Sequence, residues 1–86
     1  MNEPRNIVGP QIRALREKKG WTQPALVARL NLLGWQISRE TLAKIEAQIR
    51  WVSDFELLCL TEALCVDLKE IFPKGKPRDL LKSLFR

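Results

Sequence analysis

The chain has 86 residues, of which 45% are hydrophobic and 29% charged, and its 15 Lys and Arg against 10 Asp and Glu give a formal net charge of +5. That profile belongs to a folded globular chain, and the length allows one domain with a single core, which excludes a large multidomain enzyme. Histidine is absent, which removes the commonest general base and the commonest metal ligand, while the positive balance favours an anionic partner only weakly.

Taken in chain order, the pattern is helical almost throughout. Gly9 and Pro10 open a first helix over about 10–19, with Pro10 at the first helical position, Ile12, Leu15 and Lys19 at 3–4 spacing and Gly20 as the residue that leaves it with positive φ. Thr22 caps a second helix over about 23–33, where Pro24 is tolerated in the first turn and Leu26, Leu30 and Leu33 form one apolar stripe. Asn31 and Gly34 mark its end. Ser38 caps a third helix over about 39–47, with Glu40 in its first turn and Leu42, Ile45 and Ile49 as the expected buried face. Ser53 and Glu56 form a capping box for a fourth helix over about 54–64, with Leu57, Leu60, Thr61 and Leu64 at helical spacing. Asp67 and Glu70 suggest another cap, opening a short helix with Leu68, Ile71 and Phe72 that Pro73 stops. A basic linker at 74–78 leads to a short amphipathic segment at 79–85, carrying Leu80, Leu81, Leu84 and Phe85. Nothing alternates with period two, so the expected fold class is all-α, five short helices with a helical tail.

Several functions lack their residues. Two cysteines, Cys59 and Cys65, cannot build a four-ligand zinc site, and a mutual disulfide is poorly placed six residues apart in one helix and its exit. Isolated cysteines suit a reducing, cytoplasmic setting, and the N-terminal residues carry no apolar signal core. No charge-free run exceeds nine residues, so no membrane span is expected. The four glycines form neither a phosphate loop nor a dinucleotide fingerprint. No cofactor, metal or catalytic set is therefore expected, and the chain reads as no enzyme.

The second and third helices, joined by a brief turn containing Gly34, suit a helix-turn-helix, a weak signal by itself because any small bundle holds such pairs. Three blocks strengthen it. Ile12-Arg13-x-Leu15-Arg16-x-x-x-Gly20-Trp21-Thr22-Gln23-x-x-Leu26 resembles the opening of the phage repressor/Cro-like (XRE-type) DNA-binding family. Ile37-Ser38-Arg39-x-Thr41-Leu42-x-Lys44-Ile45-Glu46 is similar to that family's recognition helix. Leu57-Leu58-x-Leu60-x-x-Ala63-Leu64-x-Val66-x-Leu68-x-x-Ile71-Phe72 resembles its closing helices. The resemblance spans roughly 7–72 and implies a compact lambda-repressor-like domain, with 73–86 as linker and tail.

The resemblance also implies roles. Thr22 and Gln23 match the helix start that abuts a DNA phosphate, where free N–H groups and partial positive charge collect; Thr22 serves equally as a plain N-cap. Arg39, Glu40 and Lys44 match the base-reading face: Arg39 toward guanine O6 and N7, Glu40 toward cytosine N4 or toward the helix dipole alone, and Lys44 toward a base or a phosphate. Ser38 and Thr41 are expected at phosphate, as is Arg50 in the loop that grips the backbone after the third helix. Arg16 and Glu46 match a structural ion pair that ties the first helix to the end of the third. Trp51 is expected to cover the core rather than to stack on sugar-phosphate, and Trp21 and Trp35 to pack. This chain departs from the family in three places. Gln48 and Cys65 stand where glycine is usual, and the stretch from Val27 to Glu46 is about five residues longer, read as an extra turn on the second helix plus a longer connection.

The first functional expectation is a sequence-specific regulator of transcription that binds double-stranded DNA as a homodimer. The alternative is a protein-interaction module, or an antitoxin-like chain with a protein partner, on the same fold. A third-helix face that is covered, or shielded by acids, would favour the alternative.

Overall fold

The computed structural model describes residues 3–84; Met1, Asn2, Phe85 and Arg86 lie outside the described residues. Five α-helices follow in order: α1 (Gly9–Lys18), α2 (Gln23–Leu32), α3 (Arg39–Glu46), α4 (Asp54–Leu64) and, after a 3₁₀ turn at Leu68–Ile71, α5 (Pro77–Leu84). The short helix expected near Leu68 is that single 3₁₀ turn, opened by the Asp67 N–H donating to the Glu70 carboxylate at 2.7 Å. No strand occurs among the described residues.

The caps form as local chemistry dictates. Thr22, Ser38 and Ser53 sit in extended backbone, and their side-chain oxygens accept from Ala25, Thr41 and Glu56 N–H groups respectively. Gly20 and Gly34 leave α1 and α2 with φ of 75° and 98°. Cys65 does the same after α4 with φ of 56°, a conformation that costs a non-glycine residue about 1–2 kcal/mol.

The apolar stripes meet in one core. Ile12 of α1, Leu26 and Leu30 of α2, Ile37 and Leu42 before and in α3, Leu60 and Leu64 of α4 and Ile71 of the 3₁₀ turn are all buried. Ile45 joins them, but Ile49 does not: it is 58% exposed. α3 ends at Glu46 and Gln48 turns the chain with φ of 65°, so the helical period that would have carried Ile49 inward no longer applies.

α1 begins on a device the pattern did not announce. The Asn6 carboxamide oxygen accepts from Val8 N–H (3.1 Å) and Gly9 N–H (2.8 Å). Its amide nitrogen donates to the Ile45 (3.1 Å) and Arg50 (2.9 Å) carbonyls. One side chain thus caps α1 and joins it to the end of α3. Gly9 allows that approach: a Cβ there would lie 2.3 Å from the Ile45 carbonyl oxygen and 2.9 Å from that of Glu46, both backbone atoms.

Gly9→Ala should therefore destabilise by about 1–3 kcal/mol, as overpacking does. The check is a thermal melt, in which the midpoint should fall by several degrees per kcal/mol for a chain of this size. A midpoint equal to wild type would mean that α1 and α3 can separate without cost.

Candidate nucleic-acid interface

Arg16 on α1 and Glu46 at the end of α3 form a bidentate pair, Nε to Oε2 at 2.8 Å and Nη2 to Oε1 at 3.0 Å, with side chains only 9% and 4% exposed. The third guanidinium nitrogen, Nη1, donates to the Trp21 carbonyl at 2.8 Å, just before α2. Gln23, on the first turn of α2, donates from Nε2 to Glu46 Oε1 at 3.0 Å. One carboxylate and one guanidinium therefore tie three helices together. The hydrogen bonds to Glu46 raise the Arg16 pKa above its ordinary value against the opposing effect of burial. Two charges so deeply buried are tolerable only because each is hydrogen-bonded to the other and to a further partner. Among the described residues no buried side-chain nitrogen or oxygen is left without a partner.

This knot sets where α3 lies, and its other end is fixed separately. The connection at 33–38 is stitched by Asn31, whose amide nitrogen donates to the Trp35 (2.8 Å) and Ile37 (3.3 Å) carbonyls. The Ile37 N–H closes a tight turn onto the Trp35 carbonyl at 2.9 Å. α2 stops at Leu32, one residue before the expected end, and the connection runs from there to the Ser38 cap of α3. Ser38 Oγ accepts from Thr41 N–H at 3.1 Å and donates to Thr41 Oγ1 at 3.0 Å.

Between these anchors α3 turns Leu42 and Ile45 inward and exposes Arg39, Glu40 and Lys44. None of these three has an ion-pair or hydrogen-bond partner among the described residues. Thr22 and Ser38 are exposed beside them, and Thr41 is half-buried. Gln23 is half-buried with its amide on Glu46.

The residues after α3 are arranged differently from the sequence reading in one respect. Trp51 does not cover the core; it is 69% exposed, because the loop carries it outward beyond the Gln48 turn. Arg50 is half-buried, and its Nη1 and Nη2 donate to both carboxylate oxygens of Glu56 at 2.9 and 3.1 Å. Its guanidinium also lies 6.0 Å from the Trp35 ring centre. Glu56 meanwhile accepts from Ser53 N–H at 3.0 Å, completing the α4 capping box. Arg50 holds the Glu56 carboxyl below the ordinary carboxylate range, by hydrogen bonding first, and Glu56 raises the Arg50 pKa in turn. Trp21 is half-buried under the Arg29 guanidinium, 3.9 Å from the ring centre. Asn6 and the Gln48 side chain were missed as parts of this frame; both are polar residues whose partners lie about forty positions away, which no local pattern signals.

Neither a protein-family model nor a curated protein sequence matches the chain. Solved structures do, and two of them are informative. The restriction-modification controller protein C.AhdI from Aeromonas hydrophila superposes with a TM-score of 0.67 at 29% identity, covering 76% of this chain and 91% of its own. The chain has the repressor/Cro-like helix-turn-helix fold. A hypothetical transcription factor, NHTF from Neisseria, superposes with a TM-score of 0.68 over 96% of this chain and 93% of its own; at 19% identity it bears on fold alone. No helix among the described residues is long and apolar enough to cross a membrane.

Arg16→Ala or Glu46→Ala each leaves an uncompensated buried charge, so each should cost about 3–5 kcal/mol in a denaturant titration, and Arg16→Lys should not restore the bidentate geometry. An unmoved midpoint in the alanine variants would remove the pair from the frame. For Glu56 the depressed folded pKa means that its contribution is complete above the ordinary value of about 4.3 and is lost as pH falls through the folded value. Glu56→Gln should be less stable than wild type at pH 7, and the difference should shrink as the pH is lowered through the acid range; a difference independent of pH would exclude the Arg50–Glu56 ion pair as its source.

Proposed function

We propose that the chain is a non-enzymatic regulator of transcription that binds double-stranded DNA and reads its sequence with α3. The carrying observation is the exposed α3 face, where Arg39 and Lys44 stand without acid partners on a helix whose two ends are separately fixed. A cation held on a stiff helix of this motif can enter the major groove, and Arg39 can meet guanine O6 and N7 through two donors. In this reading Glu40 and Lys44 complete the base contacts. Thr22, Gln23, Ser38 and Thr41 flank them at the phosphates, with the free N–H groups at the start of α2. Arg50 contributes charge to the backbone while Glu56 holds it. The net charge of +5 supplies the sequence-independent attraction that precedes reading.

The restriction-modification controller that superposes on the chain at 29% identity agrees with this role. Residues 7–72 would form the binding domain, with 73–86 as linker and tail, and two copies related by a two-fold axis would present two α3 helices to half-sites about 34 Å apart. Phe55 and Leu58, exposed one turn apart on α4, offer apolar surface for that second copy. A protein-interaction module would call for a covered or acid-shielded α3 face. Glu40 is the only acid among the exposed residues of α3.

Selection from a pool of random duplexes at two salt concentrations tests the reading. An enriched, roughly palindromic site, bound less tightly as salt rises, is the expected result, and no enrichment would turn the reading toward a protein partner. On the enriched site, Arg39→Ala should lose about 1–3 kcal/mol of discrimination at one base pair. Equal loss on every sequence would take Arg39 out of the base-reading set.

A further inference from the structure

Beside the α3 face, the N-terminal segment and the loop after α3 enclose an open groove of about 450 Å³, lined by Arg5, Thr41, Lys44, Ile49, Arg50 and Trp51. Three of these are cations and none is an acid. Arg50 is partly neutralised by Glu56, whereas Arg5 and Lys44 are exposed and have no ion-pair partner among the described residues. The indole of Trp51 stands exposed in the same groove.

Arg5 is held there by a clamp. Its N–H donates to the Gln48 carbonyl at 2.8 Å, and Gln48 Nε2 donates back to the Asn6 carbonyl at 2.9 Å. Asn6 in turn is bonded to the Ile45 and Arg50 carbonyls. A glycine at position 48 would adopt the φ of 65° more cheaply but could not make the side-chain bond to Asn6. The strained non-glycine residue therefore has a use: it fastens the N-terminal segment to the α3–α4 loop.

We propose that this groove is a second DNA-backbone site, in which Arg5 binds a phosphodiester flanking the base pairs read by α3 and Trp51 covers the adjoining deoxyribose, with Gln48 as the positioning residue that delivers Arg5. The proposal rests on the DNA-binding reading above. An open groove with two unpaired cations and an exposed aromatic plane matches a negatively charged strand carrying apolar sugar faces, and such contacts do not depend on base sequence.

The test measures the affinity of the full chain for two duplexes, one carrying the selected site and one of unrelated sequence, across a range of salt. Arg5→Ala should weaken both by the same factor, on the order of fivefold, and should lower the slope of log affinity against log salt by about 0.9, the release expected for one phosphate. Arg5→Lys should keep most of that slope. Gln48→Gly removes no charge, yet it should reproduce much of the loss with the melting temperature maintained or raised, and Arg5→Ala should then cost little more in that background. Trp51→Ala should weaken both duplexes with the slope unchanged. A wild-type slope in Arg5→Ala, or full additivity of Arg5→Ala with Gln48→Gly, overturns the proposal while leaving the reading by α3 intact. A wild-type chain that shows no salt-dependent binding to either duplex overturns both.

Discussion

The buried contact between Arg16 and Glu46 is the constraint on which the rest of the molecule depends. It lies where α1, the entry to α2 and the exit of α3 converge, and it satisfies the Trp21 carbonyl and the Gln23 amide as well as its own charges. A buried ion pair is a poor source of net stability, because desolvation offsets most of the attraction. Its value is geometric. The planar guanidinium accepts a carboxylate in few orientations, so the pair sets the end of α3 against α1 and α2 far more narrowly than apolar packing of Leu42 and Ile45 could.

Around this knot the molecule sorts its cations by task, which a net charge cannot reveal. Arg16 is buried in the frame, Arg29 lies on the Trp21 ring, and Arg50 closes the capping box of α4 through Glu56. Arg5, Arg39 and Lys44 are exposed without acid partners among the described residues. The frame arginines engage Glu46 and Glu56, and the cations of α3 and of the N-terminal segment keep their charge unpaired. A surface of this kind attracts a polyanion from a distance.

The junction between the N-terminal segment and the α3–α4 loop is the part most particular to this chain. Asn6, Gly9 and Gln48 act as one unit: a missing Cβ lets two backbones touch, and two carboxamides fill the hydrogen bonds that the contact leaves open. The left-handed Gln48 and the exposed Ile49 and Trp51 follow from the same turn. Where a helical period is extended past such a turn, it assigns residues to the core that the chain in fact carries outward.

The sequence by itself determined the helices and the order in which they come. Thr22, Ser38 and Ser53 bond to N–H groups three residues on, Gly20 and Gly34 take the φ that only glycine adopts cheaply, and the apolar stripes repeat within a turn or two. Each signal is complete within a few residues, and the three family-like blocks added the motif that those helices build. The exposed face of α3 was legible for the same reason, since Leu42 and Ile45 declare the opposite one. Only the tertiary structure decided that Arg50 is engaged by Glu56, that Trp51 is exposed, and that Asn6 and Gln48 bind the chain start to the end of α3. Those outcomes depend on pairings between residues up to 44 positions apart and on a single left-handed turn, and neither leaves a periodic trace in the residues around it.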